Sequence, residues 1–174
     1  MFARLKRRIS AMRTVTQLCE GAERHALVEG HQQPGSEHFL LAALDLPDGQ
    51  ARRIFGRLGV DANQIRPAIV RQYAQALENI GIDSATSAAI STDTIHAQPR
   101  VLPPAARASG IELLRRLRSM DSGLPKEAGL CGALVVASIA NEQHSVAARA
   151  LRTMQIDFER LKDTAISEIY LRHK

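Results

Sequence analysis

Apolar residues recur along this chain at helical rather than strand spacing. Leu18, Ala22 and Ala26 trace one face of a first helix that should end near Gly30. Pro34-Gly35 marks a turn, and Ser36 is placed to cap a second helix carrying Phe39, Leu40, Ala43 and Leu44. Pro47-Asp48-Gly49 breaks that helix. A third, short one puts Ala51, Ile54, Phe55 and Leu58 inward and stops at Gly59. Asp61 with Gln64 three residues on has the form of a capping box, and the helix it opens buries Ile65, Ile69, Tyr73 and Leu77. Residues 78–102 lose the period and read as a linker ending at Pro103-Pro104. Four more helices follow. The fifth turns Ile111, Leu114 and Leu117 inward, and the sixth runs from about Glu127 through Leu130, Leu134 and Val135. The seventh holds Val146, Ala150 and Leu151, and Asp157 caps an eighth with the stripe Phe158, Leu161, Ala165, Ile169.

The second set of stripes repeats the first. At one constant offset Ala51 falls on Ala147, Arg53 on Arg149, Phe55 on Leu151, Leu58 on Met154, Asp61 on Asp157, Ile65 on Leu161 and Val70 on Ile166. Two copies of one packing unit are too few and too long for a solenoid. The pattern predicts an all-α protein: two four-helix repeats, about 11–77 and 103–171, related by a pseudo-twofold axis within a single domain spanning 1–174.

Composition agrees with a helical globule. The chain has 174 residues, 45% of them hydrophobic, and aromatics at 3% leave the core to Leu, Ile, Val and Ala. No apolar run approaches the length of a membrane span, and the charged start of the chain lacks the apolar segment of a secretory signal, so a cytoplasmic setting is the expectation. The net charge of +5 sits in one place. Arg4, Lys6, Arg7, Arg8 and Arg13 face no acid in the first thirteen residues, and the remaining basic residues equal the 18 acidic ones. Such an arm can meet phosphate or an acidic partner. The plainer reading is a solvated first turn, with Phe2, Leu5, Ile9 and Met12 docking on the body. Nothing else in the chain supports nucleic-acid readout, so a nucleic-acid partner is not expected.

Gly35-Ser36-Glu37-His38-Phe39-Leu40-Leu41-Ala42-Ala43-Leu44 resembles the Gly-Thr-Glu-His-Leu-Leu-Leu-Ala-Leu-Leu signature of the Clp amino-terminal repeat, the N-domain of the Clp AAA+ unfoldases. Residues 51–61 are similar to that family's next helix and Leu-Gly-Val-Asp turn, and Val146-Ala147-Ala148-Arg149-Ala150-Leu151 is closer still. The second copy departs from the pattern: Gly129-Leu130-Cys131-Gly132 stands where the Thr-Glu-His triplet would be, with two extra residues before the next helix. The resemblance implies a noncatalytic module that binds client or adaptor proteins, with a Clp unfoldase as a possible partner, and Ser36, Glu37 and His38 as client-binding residues. Some N-domains of the family recognise phosphorylated arginine near this triplet, and a carboxylate such as Glu37 suits a guanidinium fork. The residues also have a structural reading, with Ser36 capping the helix, Glu37 complementing its dipole and His38 packing locally.

No Gly-x-x-x-x-Gly-Lys-Ser/Thr loop is present to cradle nucleotide phosphates, and no nucleophile-elbow motif occurs, so no catalytic residue or cofactor is expected. The six histidines, at 25, 31, 38, 96, 144 and 173, show no metal-ligand spacing, and no metal is expected. Cys19 belongs to the first helix's apolar stripe, and Cys131 has no assigned role.

Overall fold

Two helices buried on almost every side decide the architecture, because such helices need neighbours all round. The computed structural model describes residues 2–79, 81, 108–121 and 130–171. These residues form α1 (Phe2–Val28), α2 (Ser36–Asp45), α3 (Gln50–Arg57), a 3-10 turn (Ala62–Gln64), α4 (Ile65–Glu78), α5 (Ala108–Asp121), α6 (Gly132–Ala140), α7 (Val146–Thr153) and α8 (Phe158–Leu171), with no strand among them. The all-α expectation holds. Nine of the ten residues of α2 and eight of the nine in α6 are buried. These two pack on each other, and the remaining helices sheathe them: α1, α3, α5 and α7 pack on α2, and α3, α5 and α8 on α6. The surrounding helices bury one face each. Ala51, Ile54 and Phe55 of α3 and Ala147, Ala150 and Leu151 of α7 are fully inside, at roughly 1.5–3 kcal/mol for each large apolar side chain.

Contacts between the two halves come in exchanged pairs. Helix α4 packs on α7 as α3 packs on α8, and α2 packs on α7 as α6 packs on α3. Helices α2 and α6 begin at Ser36 and Gly132, and α3 and α7 at Gln50 and Val146. Both intervals equal the offset that sets Ala51 on Ala147. The expected two-residue insertion before α7 is therefore absent. The counterpart of Ser36-Glu37-His38 is Gly132-Ala133-Leu134, two residues later than the stretch singled out from the sequence. The sixth helix starts at Gly132, not near Glu127, which lies outside the described residues.

Gly132 has a physical reason. A Cβ there would stand 3.1 Å from Asp48 Oδ1, 3.2 Å from the Ala51 nitrogen and 3.3 Å from the Ala43 oxygen. The start of α6 is pressed against the α2–α3 corner, and only glycine fits without displacing it. The same approach satisfies the helix's free N–H groups. Gly132 N–H donates to Asp48 Oδ2 (2.9 Å) and Ala133 N–H to Gln50 Oε1 (3.3 Å), while Asp48 Oδ1 accepts from Gln50 N–H (2.9 Å). One carboxylate thus caps the beginnings of α3 and α6, placing negative charge at two positive helix ends.

Other sequence expectations divide. The stripes of α1, α3, α4, α7 and α8 bury Leu18, Ala22, Ala26, Ile54, Phe55, Ile65, Ile69, Leu151, Leu161, Ala165 and Ile169 as expected. Asp157 caps α8, accepting from the backbone N–H groups of Glu159 (2.9 Å) and Arg160 (3.2 Å). On α5 the inward residues are Leu113 and Leu117, and Ile111 is 49% exposed. Asp61 caps the 3-10 turn through Asn63 N–H (2.9 Å), and α4 starts only at Ile65. The cap of α2 is Gly35, and Ser36 is already inside the helix. Met12 does not dock, being 71% exposed. The side chains of residues 2–11 and the linker from residue 82 lie outside the described residues.

Asp48→Ala should remove two caps at once and lower unfolding stability by about 1–3 kcal/mol. Urea unfolding followed by circular dichroism checks this, with the exposed Asp163→Ala as a control that changes little.

Candidate functional site

The α1–α2 turn folds the end of one helix back over the start of the next, which gathers His25, His31 and His38 with Glu29, Glu37 and Asp45. Gly35 holds the N-cap position of α2 in extended conformation, and its N–H donates to His38 Nδ1 at 2.8 Å. His38 thereby does what Glu or Gln does in a capping box, reaching back from the third helical position to the N-cap backbone. A side chain at residue 35 would collide with the Glu37 carboxylate, which lies directly against it. Because Nδ1 accepts, hydrogen-bond geometry assigns the ring proton to Nε2.

Around His38 the network widens. Its Nε2 is 3.1 Å from His31 Nδ1 and 3.3 Å from Glu29 Oε2. Glu29 Oε1 accepts from Arg66 Nη1 at 2.6 Å. Arg66 also donates through Nη2 to His25 Nδ1, and His25 Nε2 reaches Asp45 Oδ2 at 2.8 Å. On the other side of His38, Glu37 Oε1 accepts the Tyr73 hydroxyl (2.5 Å) and lies 3.3 Å from His38 Nδ1. The His31 ring stands edge-on to His38 and tilted against Tyr73. Helices α1, α2 and α4 are tied together by polar groups in a place where apolar packing alone would leave helix ends unsatisfied.

Ser36, Glu37 and His38 are brought together, but inside: they are 0%, 1% and 0% exposed. From the second half Glu142, also buried, approaches this end of α2. Burial pushes its carboxyl up, and the hydroxyls of Ser145 and Ser36 and then the Arg116 guanidinium pull it back. Burial likewise pushes the Glu29 carboxyl up, but His38, Arg66 and His31 outweigh it and hold Glu29 below the usual carboxylate range. His25 is lowered, chiefly by burial, with Arg66 adding to the effect and Asp45 opposing it. Cys19 is no activated thiol, since burial and then Glu23 and Glu20 push it up. Cys131 is buried at the N-cap position of α6.

Sequence spacing missed Glu29, His31, Arg66 and Tyr73 as neighbours of the triplet. His31 and His38 are seven residues apart across a turn, a separation that matches no helical or short-loop ligand motif. The available signal was the Gly30 and Pro34-Gly35 pair of chain-reversal residues, which returns His31 toward α2.

A helical fold with this capped, buried Ser-Glu-His turn defines a Clp-type N-terminal repeat module. The family model described as the Clp repeat (R) N-terminal domain matches residues 13–117, more than half of the chain, and the chain belongs to that family. It is 40% identical over 52 residues to the chloroplastic chaperone protein ClpC1 of Oryza sativa subsp. japonica, a stretch covering 30% of this chain and 6% of that protein. Over 52 residues it is 38% identical to the chloroplastic ATP-dependent Clp protease ATP-binding subunit ClpA homolog CD4B of Solanum lycopersicum, again 30% of this chain and 6% of the relative. The chain thus matches only a small part of these relatives' length. No helix among the described residues is long and apolar enough to cross a membrane.

The lowered His25 sets a pH dependence. Unfolded, His25 titrates near the ordinary histidine value of 6.5, and folded it titrates below that. The unfolded state therefore binds more protons as pH falls, and the stability His25 allows is full above about 6.5 and lost as pH drops through that value toward the folded one. Glu29, lowered in the fold, adds a loss at more acid pH as it is protonated. Thermal melts should show Tm falling between pH 7 and 5, with a shallower fall near pH 6 in His25→Gln. Glu37→Ala should cost about 1–3 kcal/mol by removing the buried carboxylate to which the Tyr73 hydroxyl donates, as read by urea unfolding.

Proposed function

We propose that this protein is a noncatalytic protein-binding module, an adaptor, accessory factor or decoy in a Clp-type chaperone–protease system, which holds client or adaptor proteins. Membership of the Clp repeat N-terminal domain family over residues 13–117 carries the reading. The relatives' names speak of chaperones and of an ATP-binding protease subunit, and this chain contains no phosphate-binding loop of its own. The function that remains for such a module is recognition. Two four-helix repeats, about 11–77 and 103–171 and related by a pseudo-twofold axis, form the body, and a cytoplasmic setting alongside a Clp unfoldase belongs to the same reading.

The chemistry of contact follows from exposure. Met12 and Val15, one turn apart on α1, are exposed apolar side chains beside the exposed Arg13, the mixture of apolar centre and charged rim that protein interfaces use. Ser36, Glu37 and His38 serve binding from beneath. They fix the start of α2 and its seating under α1 and α4, and a client's guanidinium reaches Glu37 only when the turn opens.

Purified protein titrated against a fluorescently labelled Clp adaptor or unfolded client, read by anisotropy at moderate salt, tests this. Saturable binding is expected. A Met12→Asp/Val15→Asp double variant should weaken it about tenfold or more, as loss of central apolar contacts does, without a change in Tm. No binding to clients, adaptors or a purified unfoldase would defeat the reading.

A further inference from the structure

The donor atoms of Glu29, His31 and His38 all lie within 4.8 Å of one another. His38 Nε2 is 3.1 Å from His31 Nδ1 and 3.3 Å from Glu29 Oε2. Ligands at ordinary Zn–N distances around a tetrahedral ion stand roughly 3.3 Å apart. Two of the three separations therefore already match the spacing a small divalent ion would impose, and two imidazoles with one carboxylate are a donor set that zinc accepts. A second observation points the same way. Glu29 Oε2 is buried and makes no hydrogen bond of good geometry among the described residues, although it faces the His38 ring. Arg66 occupies only the other oxygen, Oε1.

We propose that Glu29, His31 and His38 form a binding site for a divalent transition-metal ion of the zinc class, which staples the α1–α2 turn to the first turn of α2. Ligation uses Glu29 Oε2, His31 Nδ1 and His38 Nε2 and leaves a fourth position for water, because His31 and Glu29 are only partly buried while His38 is enclosed. The metal takes the lone pair of His38 Nε2, so the ring proton shifts to Nδ1 with no net proton gained or lost. Glu37 Oε1, 3.3 Å from Nδ1, accepts it. The Gly35 N–H bond to the ring is exchanged for a carboxylate–histidine–metal chain, the arrangement that commonly orients metal-bound imidazole. This assigns Glu37, buried beside His38 in the first turn of α2, a role as the group that positions the His38 ring. Leu134 stands at the corresponding place in α6 and offers no ligand atom.

The site is tested without any client present. Isothermal titration of the metal-stripped full chain with Zn2+ in a noncoordinating buffer should show one ion bound per chain, and Zn2+ should raise Tm in a way EDTA reverses. Titration with Co2+ should give intense visible bands of a four- or five-coordinate ion. His31→Gln should abolish stoichiometric uptake. Glu37→Gln should weaken it about 10–100-fold while retaining the site, the usual effect of losing such a supporting carboxylate. His144→Ala, exposed and outside the three-residue cluster, should bind as the parent does. Absence of saturable uptake by the parent chain, or equal uptake by a folded His31→Gln, overturns the proposal. Should His31→Gln fail to fold, the cobalt spectrum of the parent decides: weak bands of a six-coordinate, solvent-like ion overturn it as well.

Discussion

Every helix begins with backbone N–H groups that no earlier turn can accept from, and this fold buries two such beginnings, those of α2 and α6, near its centre. Buried donors without partners cost more than most single contacts return. The structure answers this in two different ways. At α6 the partners come from the other half, Asp48 and Gln50, and the approach is so close that residue 132 is glycine. At α2 a partner comes from within, His38 bonding back to Gly35, and it draws a whole polar network behind it. The difference between the two halves is the difference between these solutions.

Once His38 occupies that place, its other nitrogen must be dealt with in a low-dielectric setting. His31 and Glu29 surround it, Arg66 balances Glu29, and His25 and Asp45 extend the chain of charge toward the surface. Tyr73 closes the other side through Glu37. Such networks are strong when complete and costly when broken, so the turn between α1 and α2 is held by polar contacts more than by apolar packing. The lowered His25 and Glu29 show the same balance, in which burial is overcome for one group and prevails for the other.

Seam polarity between the halves is also unequal. Glu168 of α8 lies against both Arg53 (2.7 Å) and Arg57 (2.9 Å) of α3, whereas the corresponding seam of α4 and α7 joins Gln72 to Thr153 at 2.9 Å. A charged clamp and a neutral bond stand at matching places. The apolar stripes beneath them are alike, so the shared core tolerates divergence at its polar edges.

Periodicity alone revealed the helices, their inward faces and the repetition of the stripes, because burial of apolar area acts on each helix separately and leaves its mark at helical spacing. It placed Phe39, Phe55, Ile69 and Leu161 correctly for that reason. It failed at Ile111, where Leu113 is the inward residue on a helix with two apolar faces, and at the start of α6, where an apolar run continues past the true helix end. Spacing could not reveal Asp48 beneath Gly132, or His31 and Glu29 beside His38, since those meetings depend on how helices dock and turns reverse. Hydrophobic pattern is a property of neighbours along the chain, whereas capping across the halves and the gathering of ligand-type side chains exist only once tertiary packing has removed water from between them.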